Sequence, residues 1–504
     1  MHFGKGEYNL NGRQGRFIMN KLLIKYRRLP VHLKASLWYV FCGLLQKGIS
    51  LLTTPLFTRI MTQAEYGQFN VYLSWFGVLS ICISLNLSYS VYLQGLVKYE
   101  EDKDVFTSSL LGLTSLLTGI AFVVYLLFST RVNSFVHLST PIMICMVVST
   151  WTEAVFSFWS GRLRNDFEYK PLVLLSIAVA VAKPVLGIVL IFLFPGHGVE
   201  ARVISMTIIE VAAYLGLFVR QINRGKKLFH KYYWRYAISY NLPLIPHYLS
   251  QTVLSSSDRI MIADMINEES AAIYSLAYSL GMIMVIVNTA LSNTFTPWVY
   301  QKLKRKDYKD IGKYSCVLLS LVAAANILLV LFAPEIIRIF APVSYQEAVW
   351  LIPPIAIGTF FMFMYNIFAN FAFYFEKTKS IMLGSCSGAI LNLILNYFFI
   401  RKYGYQAAAY TTFFCYFLYA LGHYMFMRFV CNECIESGYK IFDTRIIVAI
   451  SILFIAMVFA VMQLYHSPNG LLRYGLFILL VLLTFFGRRR LVEIILKMKG
   501  KTNE

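Results

Sequence analysis

Apolar runs recur roughly every 25 to 40 residues along the whole chain, each near the twenty residues that a helix needs to cross a bilayer's hydrocarbon core. Fourteen such runs are found. The first six cover residues 35–57, 69–96, 105–128, 139–160, 171–194 and 203–219. The next six cover 236–257, 270–296, 312–333, 348–375, 380–400 and 406–427, and a last pair covers 446–465 and 470–487. Backbone polar groups inside lipid must be satisfied within the segment, so runs of this length predict helices and an all-α integral membrane protein.

Composition agrees: 58% of the 504 residues are hydrophobic and 14% charged, with a mean hydropathy of +0.61. The formal net charge of +21 would suggest a nucleic-acid partner in a soluble protein. Here its position decides otherwise. Placing the N-terminus in the cytoplasm and alternating sides puts 36 of the 46 Lys and Arg on the inner side, the asymmetry of the positive-inside rule. Topology and anionic membrane lipid account for the basic clusters, and no nucleic acid is needed. Both termini are then cytoplasmic. Residues 1–34 form a basic cytoplasmic segment without a cleavable signal pattern, and Met19 is a second candidate start. The loops at 220–235 and 428–445 and the tail 488–504 are cytoplasmic as well.

Thr58-Arg59-Ile60-Met61, at the end of the first span, is echoed by Asp258-Arg259-Ile260-Met261 at the end of the seventh. Gly198 to Arg202 is echoed by Gly404 to Ala408, each before the last helix of a six-helix unit. Six is even, so the repeats run parallel: two pseudo-symmetric lobes, 35–219 and 236–427, around a central cavity, with the pair 446–487 added. Transporters built on parallel repeats bind substrate between the halves and rock between two openings.

Three segments carry a family resemblance. They are Leu44 to Leu52 leading through Pro55-Leu-Phe-Thr-Arg59 to Ala64-Glu-Tyr-Gly67; Leu242-Pro-Leu-Ile-Pro-His247 with Ser257-Asp-Arg-Ile-Met261; and Asn392-Leu-Ile-Leu-Asn396 with Tyr403-Gly404 and Ala407 to Tyr410. In order and spacing the chain resembles a polysaccharide flippase of the multidrug/oligosaccharidyl-lipid/polysaccharide exporter superfamily. The resemblance implies movement of polyprenyl-pyrophosphate-linked oligosaccharide from the inner to the outer leaflet of a bacterial cytoplasmic membrane. It also implies service to surface polysaccharide assembly beside a polymerase and a chain-length regulator.

Charge at mid-membrane is costly, about 2.5–3.5 kcal/mol per residue on insertion scales, so each such residue is a candidate. Lys47 in the first span and Lys183 in the fifth are candidate ligands for an anionic headgroup, or partners of Glu153 and Glu210 in buried bridges. Those two carboxylates are also candidate proton or sodium sites that couple transport to a gradient, with structural pairing as the alternative. Arg59, Asp258 and Arg259, near the outer ends of their spans, are candidates for a periplasmic gate. The second lobe offers amides instead: Asn392 with Asn396, and Asn366 with Asn370, each spaced i, i+4 on one helix face, as a sugar path or as interhelical glue. His247 and His423 read as helix-packing residues.

Two other functions compete with this reading. A drug or organic-cation antiporter of the same superfamily would want acidic groups dominating the cavity, and two central lysines oppose that. A polymerase or lipid-linked glycosyltransferase would want reacting groups on a sizeable external loop, and these loops are short. Cys431-x-x-Cys434 has no second pair for a metal, and no nucleophile triad or phosphate-cradling glycine loop appears. The chain reads as a non-enzyme without a cofactor.

Overall fold

A computed structural model describes residues 30–435, 441–466 and 470–479; for 378–382 the backbone alone is described. Met19, the basic tail and residues 480–487 of the fourteenth predicted span lie outside the described residues.

The chain forms a bundle of helices: α1 Val31–Ile60, α2 Gln63–Ser84, α3 Ser90–Lys98, α4 Lys103–Val136, α5 Thr140–Asn165, α6 Tyr169–Leu193, α7 Gly198–Gly225 and α8 Lys231–Asn241. After a 3₁₀ turn at Leu242–Leu244 follow α9 Ile245–Met265, α10 Glu268–Lys304, α11 Ile311–Leu331 and the short α12 Ala333–Phe340. A second 3₁₀ segment, Val343–Trp350, leads to α13 Ile352–Tyr374, α14 Thr378–Tyr403, α15 Ala407–Cys434 and α16 Thr444–Gln463. Eleven helices among the described residues are long and apolar enough to cross a membrane. Large apolar side chains such as Leu52, Leu127, Leu174 and Phe192 stand exposed on them, as lipid-facing positions do.

Two predicted spans are broken. The run 69–96 divides into α2 and α3 because Leu85 and Asn86 take left-handed backbone angles (φ 49° and 51°) and the Ser84 hydroxyl caps the turn by accepting from the Asn86 N–H at 3.1 Å. The run 236–257 divides at Pro243 and Pro246, which cannot donate to a continuous helix. Asn241 Nδ2 donates to the Leu85 carbonyl, so the two breaks sit against each other.

The neighbour order of the first helices recurs in the second set. In the first, α1 packs on α6, α6 on α7, α5 on α7, α4 on α5 and α2 on α5; in the second, α9 packs on α14, α14 on α15, α13 on α15, α11 on α13 and α10 on α13. The echoed motifs therefore belong to equivalent places. The helix α2 joins the sets by packing on α9 and α10.

The apolar interior divides unevenly. At the end of the bundle where α1 finishes, here the distal end, Phe57, Tyr66, Phe69 and Tyr72 of the first set share one core with Tyr274 and Tyr345 of the second. At the opposite, proximal end the first set has its own core, built on Tyr92, Phe106, Phe158 and Tyr233. The two sets share one core distally, while the distinct proximal core of the first set takes in α8, the segment that leads into α9.

Candidate functional site

Distal fusion is made by specific groups. The Thr58 hydroxyl donates to the Phe340 carbonyl at 2.7 Å, and Arg59 donates from Nη2 to the Ile339 carbonyl at 2.8 Å. Gln63 reaches the carbonyls of Glu269 and Ser344. Gly67 lies so near α10 that a Cβ there would stand 1.9 Å from the Glu268 oxygen. Only glycine permits that approach. Arg259 also crosses between the sets: its guanidinium lies 4.5 Å from the centre of the Tyr278 ring and within 3.5 Å of the Ser74 hydroxyl on α2.

Asp258, next in the same motif, does something else. It is buried, and its carboxylate accepts from Asn396 Nδ2 at 2.6 Å, from the Thr412 hydroxyl at 2.8 Å and from the Tyr274 hydroxyl. Asn396 also donates to Asn392 Oδ1, Asn392 donates to Thr412, and Ser257 and Thr411 complete the set. Four helices, α9, α10, α14 and α15, are thereby tied around one carboxylate. Asn392 and Asn396 have no exposed surface, so they sit inside this network rather than on a path wall.

In the first set the mid-bundle charges are arranged differently. Lys183 Nζ lies 2.6 Å from Glu210 Oε1, and the Thr152 hydroxyl donates to Glu210 Oε2 at 3.0 Å. Glu153, one residue along α5, is exposed and feels both Glu210 and Lys183 electrostatically without bonding either. Lys47 is exposed on α1 and has no ion pair or hydrogen bond among the described residues. It lies seven residues before Thr54 and eleven before Thr58, spacings that keep all three on one helix face. Thr58 meets the second set, so Lys47 stands on the α1 face that carries that contact.

At the proximal end, outside the spans, Asp166 caps a charge cluster. Burial works against its ionised form, yet hydrogen bonds from Arg162 at 2.7 Å and from Asn165 hold its carboxyl below the usual range. His247 and His423 both keep an unpartnered ring nitrogen, and His423 packs on Tyr419 and Tyr365. Cys431 and Cys434 are free thiols.

Two groups escaped the reading of the sequence. Glu65 closes a capping box with Thr62 at the start of α2 and also accepts the Gly198 N–H at 2.7 Å, so one carboxylate serves two helix N-termini. The Thr-x-x-Glu spacing was legible; the second partner, 133 residues away, was not. Arg202 lies 3.7 Å from the Phe57 ring centre and 3.6 Å from that of Phe69, a cation held by aromatic faces.

Paired helix sets that share one core at the distal end define a multi-helical membrane-protein fold. The chain belongs to the Polysaccharide biosynthesis protein family, whose model matches residues 32–303. The MatE family model matches residues 243–398. Among curated relatives it is similar to the Lsg locus putative protein 1 of Haemophilus influenzae, 21% identical over 384 residues that cover 70% of this chain and 87% of that one. A membrane protein of Methanocaldococcus jannaschii is 22% identical over 453 residues, 81% of this chain and 85% of that one. Among solved structures, lipid II flippase MurJ in an inward closed conformation superposes with a TM-score of 0.66 at 16% identity, covering 90% of this chain and 99% of that one. An inward-facing MATE family multidrug resistance transporter of the MOP superfamily gives 0.65 at 11% identity, covering 78% and 96%. At these identities the structural likeness concerns the fold.

Proposed function

We propose that the protein flips polyprenyl-pyrophosphate-linked oligosaccharide units from the inner to the outer leaflet of a bacterial cytoplasmic membrane by alternating access. The observation that carries this reading is Lys47, a cation without a partner among the described residues, on the α1 face that also meets the second set through Thr58. A desolvated pyrophosphate needs such a cation, whereas an organic cation would be repelled by it. The Polysaccharide biosynthesis family and the MurJ-like fold support the same substrate class.

The membrane frame is part of the proposal: fourteen spans, two six-helix lobes (35–219 and 236–427) with an added pair, both termini cytoplasmic, and the proximal end facing the cytoplasm. The shared distal core, beside the distinct proximal core of the first set, then corresponds to a state closed to the periplasm, with Arg59 and Arg259 as parts of the gate. Asp258 holds the second lobe together behind it. Lys47 takes the headgroup. Lys183, tied to Glu210, shapes the cavity wall and is released to substrate only if that pair opens. Glu153 is the carboxylate left open for proton or sodium coupling. A polymerase and a chain-length regulator would receive the product.

The test uses the purified full chain in proteoliposomes with a fluorescent polyprenyl-pyrophosphate-linked oligosaccharide in both leaflets. Added dithionite destroys the outer label. Flipping exposes all of the label in time; a plateau near half, equal to that of protein-free vesicles, would sink the proposal.

A further inference from the structure

We infer that the second lobe carries the sugar-binding wall, and that it is built for neutral sugars. This rests on the flippase reading and adds to it a division of labour between the lobes. Two adjoining cavities, of about 290 and 180 Å³, run along the seam of α10 and α13 and share Val285 and Met362 as a common wall.

The distal cavity is lined by Gln251, Thr252 and Ser255 of α9, with Tyr278 and Tyr416 beside them. The proximal one is lined by Asn288, Thr289, Ser292 and Asn366. Across both linings no Asp, Glu, Lys or Arg appears. The first lobe, by contrast, places Lys47, Glu153, Lys183 and Glu210 at mid-bundle.

Hydroxyls, amides and phenol rings without charge are what a neutral pyranose requires. Its hydroxyls both donate and accept, matching Ser, Thr, Asn and Gln, and its C–H faces pack on aromatic rings. Three observations point to a ligand rather than to helix glue. Asn288 is 4% exposed, lines the proximal cavity and donates to the Thr359 carbonyl, while its enclosed Oδ1 has no partner among the described residues: a buried acceptor left unsatisfied in the cavity wall. Thr289 and Asn293, one turn apart on α10, are exposed although they lie within an apolar span, where polar side chains turn to a water-filled gap rather than to lipid. Asn366 donates to the Met362 carbonyl of its own helix, ties to no other helix among the described residues, and lines the cavity. Of the two asparagine pairs, then, Asn366 belongs to the wall and Asn392 with Asn396 to the Asp258 network. A uronic acid in the same place would lose its hydration with no cation in the lining to offset it.

The experiment compares three probes on the full-length protein in lipid nanodiscs: polyprenyl pyrophosphate, polyprenyl-pyrophosphoryl-N-acetylglucosamine and polyprenyl-pyrophosphoryl-glucuronic acid. The wild type is expected to bind the N-acetylglucosamine probe about tenfold more tightly than the bare pyrophosphate, the gain that one or two well-made hydrogen bonds supply, and the glucuronic acid probe no better than the bare one. Thr289→Val with Ser292→Val, and separately Asn288→Leu, should remove most of that gain while leaving the bare probe's affinity unchanged. The double variant alters an exposed and a half-buried position and keeps the test available if Asn288→Leu does not fold. Equal binding of the neutral-sugar and bare probes, tighter binding of the glucuronic acid probe, or variants that weaken all three alike would overturn the sugar wall while leaving the flippase reading standing. Failure of every probe to bind would overturn both.

Discussion

Lys183 Nζ and Glu210 Oε1 are 2.6 Å apart across α6 and α7, while Lys47, the other mid-membrane lysine, has no such partner among the described residues. The same residue type thus plays two parts in one lobe. Removing one member of a largely buried pair leaves the other charge uncompensated, a loss of about 3–5 kcal/mol, whereas replacing both with apolar side chains is nearly neutral. Lys183→Ala and Glu210→Ala should each lower the melting temperature in detergent markedly, and Lys183→Met with Glu210→Met should recover most of it. Equal melting of all four proteins would mean that the pair does not hold the lobe.

Lys47 should behave in the opposite way. Lys47→Ala removes no bond, so stability should change by less than about 0.5 kcal/mol. Transport should fall roughly 10- to 100-fold, as loss of a charge-assisted contact of about 1.5–3 kcal/mol predicts, and Lys47→Arg should restore part of it. Normal flipping by the Ala variant at normal protein level would remove Lys47 as the headgroup ligand.

Glu153 separates structural from coupling roles among the carboxylates. Exposed and without a bonded partner among the described residues, it can change protonation without breaking a pair, which Glu210 cannot. Glu153→Gln should flip substrate at a rate insensitive to collapse of the proton gradient, while the wild type slows. If variant and wild type respond alike, coupling does not run through Glu153.

Asp258 accepts from three donors within α10, α14 and α15. Asp258→Ala leaves those donors buried and unpaired, each at about 1–3 kcal/mol, and should unfold the second lobe or sharply lower its melting point. Asp258→Asn keeps an acceptor oxygen but sets an amide N–H₂ against remaining donors, so an intermediate loss is expected. Calorimetry of the three proteins ranks them. An unchanged Asp258→Ala protein would show that the network is dispensable.

Gly67 makes the distal closure checkable. A methyl group at 1.9 Å from the Glu268 oxygen must push α2 from α10, so Gly67→Ala should shift the protein toward distal opening. In whole cells, a single engineered cysteine in the distal cleft should label faster with an impermeant thiol reagent in that variant. Unchanged labelling would place the closure elsewhere.

Much of this protein was written locally. Apolar runs of membrane length dictated helices, because a backbone in lipid has no other way to satisfy its polar groups, and the Thr58-Arg59 and Asp258-Arg259 echo marked places whose helix neighbours recur in the fold. The mid-membrane charges were legible for the same reason: each is costly enough to stand out. Partnership was not legible. The contacts that give Asp258 and Glu65 their roles, Asn396 and Gly198, are 138 and 133 residues away, and nothing in a local pattern fixes which helix faces which. Two asparagine pairs with the same i, i+4 spacing had opposite fates, because only packing decided that α14 turns Asn392 and Asn396 into a closed network while α13 leaves Asn366 beside a cavity. Sequence set the helices and the price of each buried charge; tertiary packing decided which charges are matched, and so which remain open to a substrate.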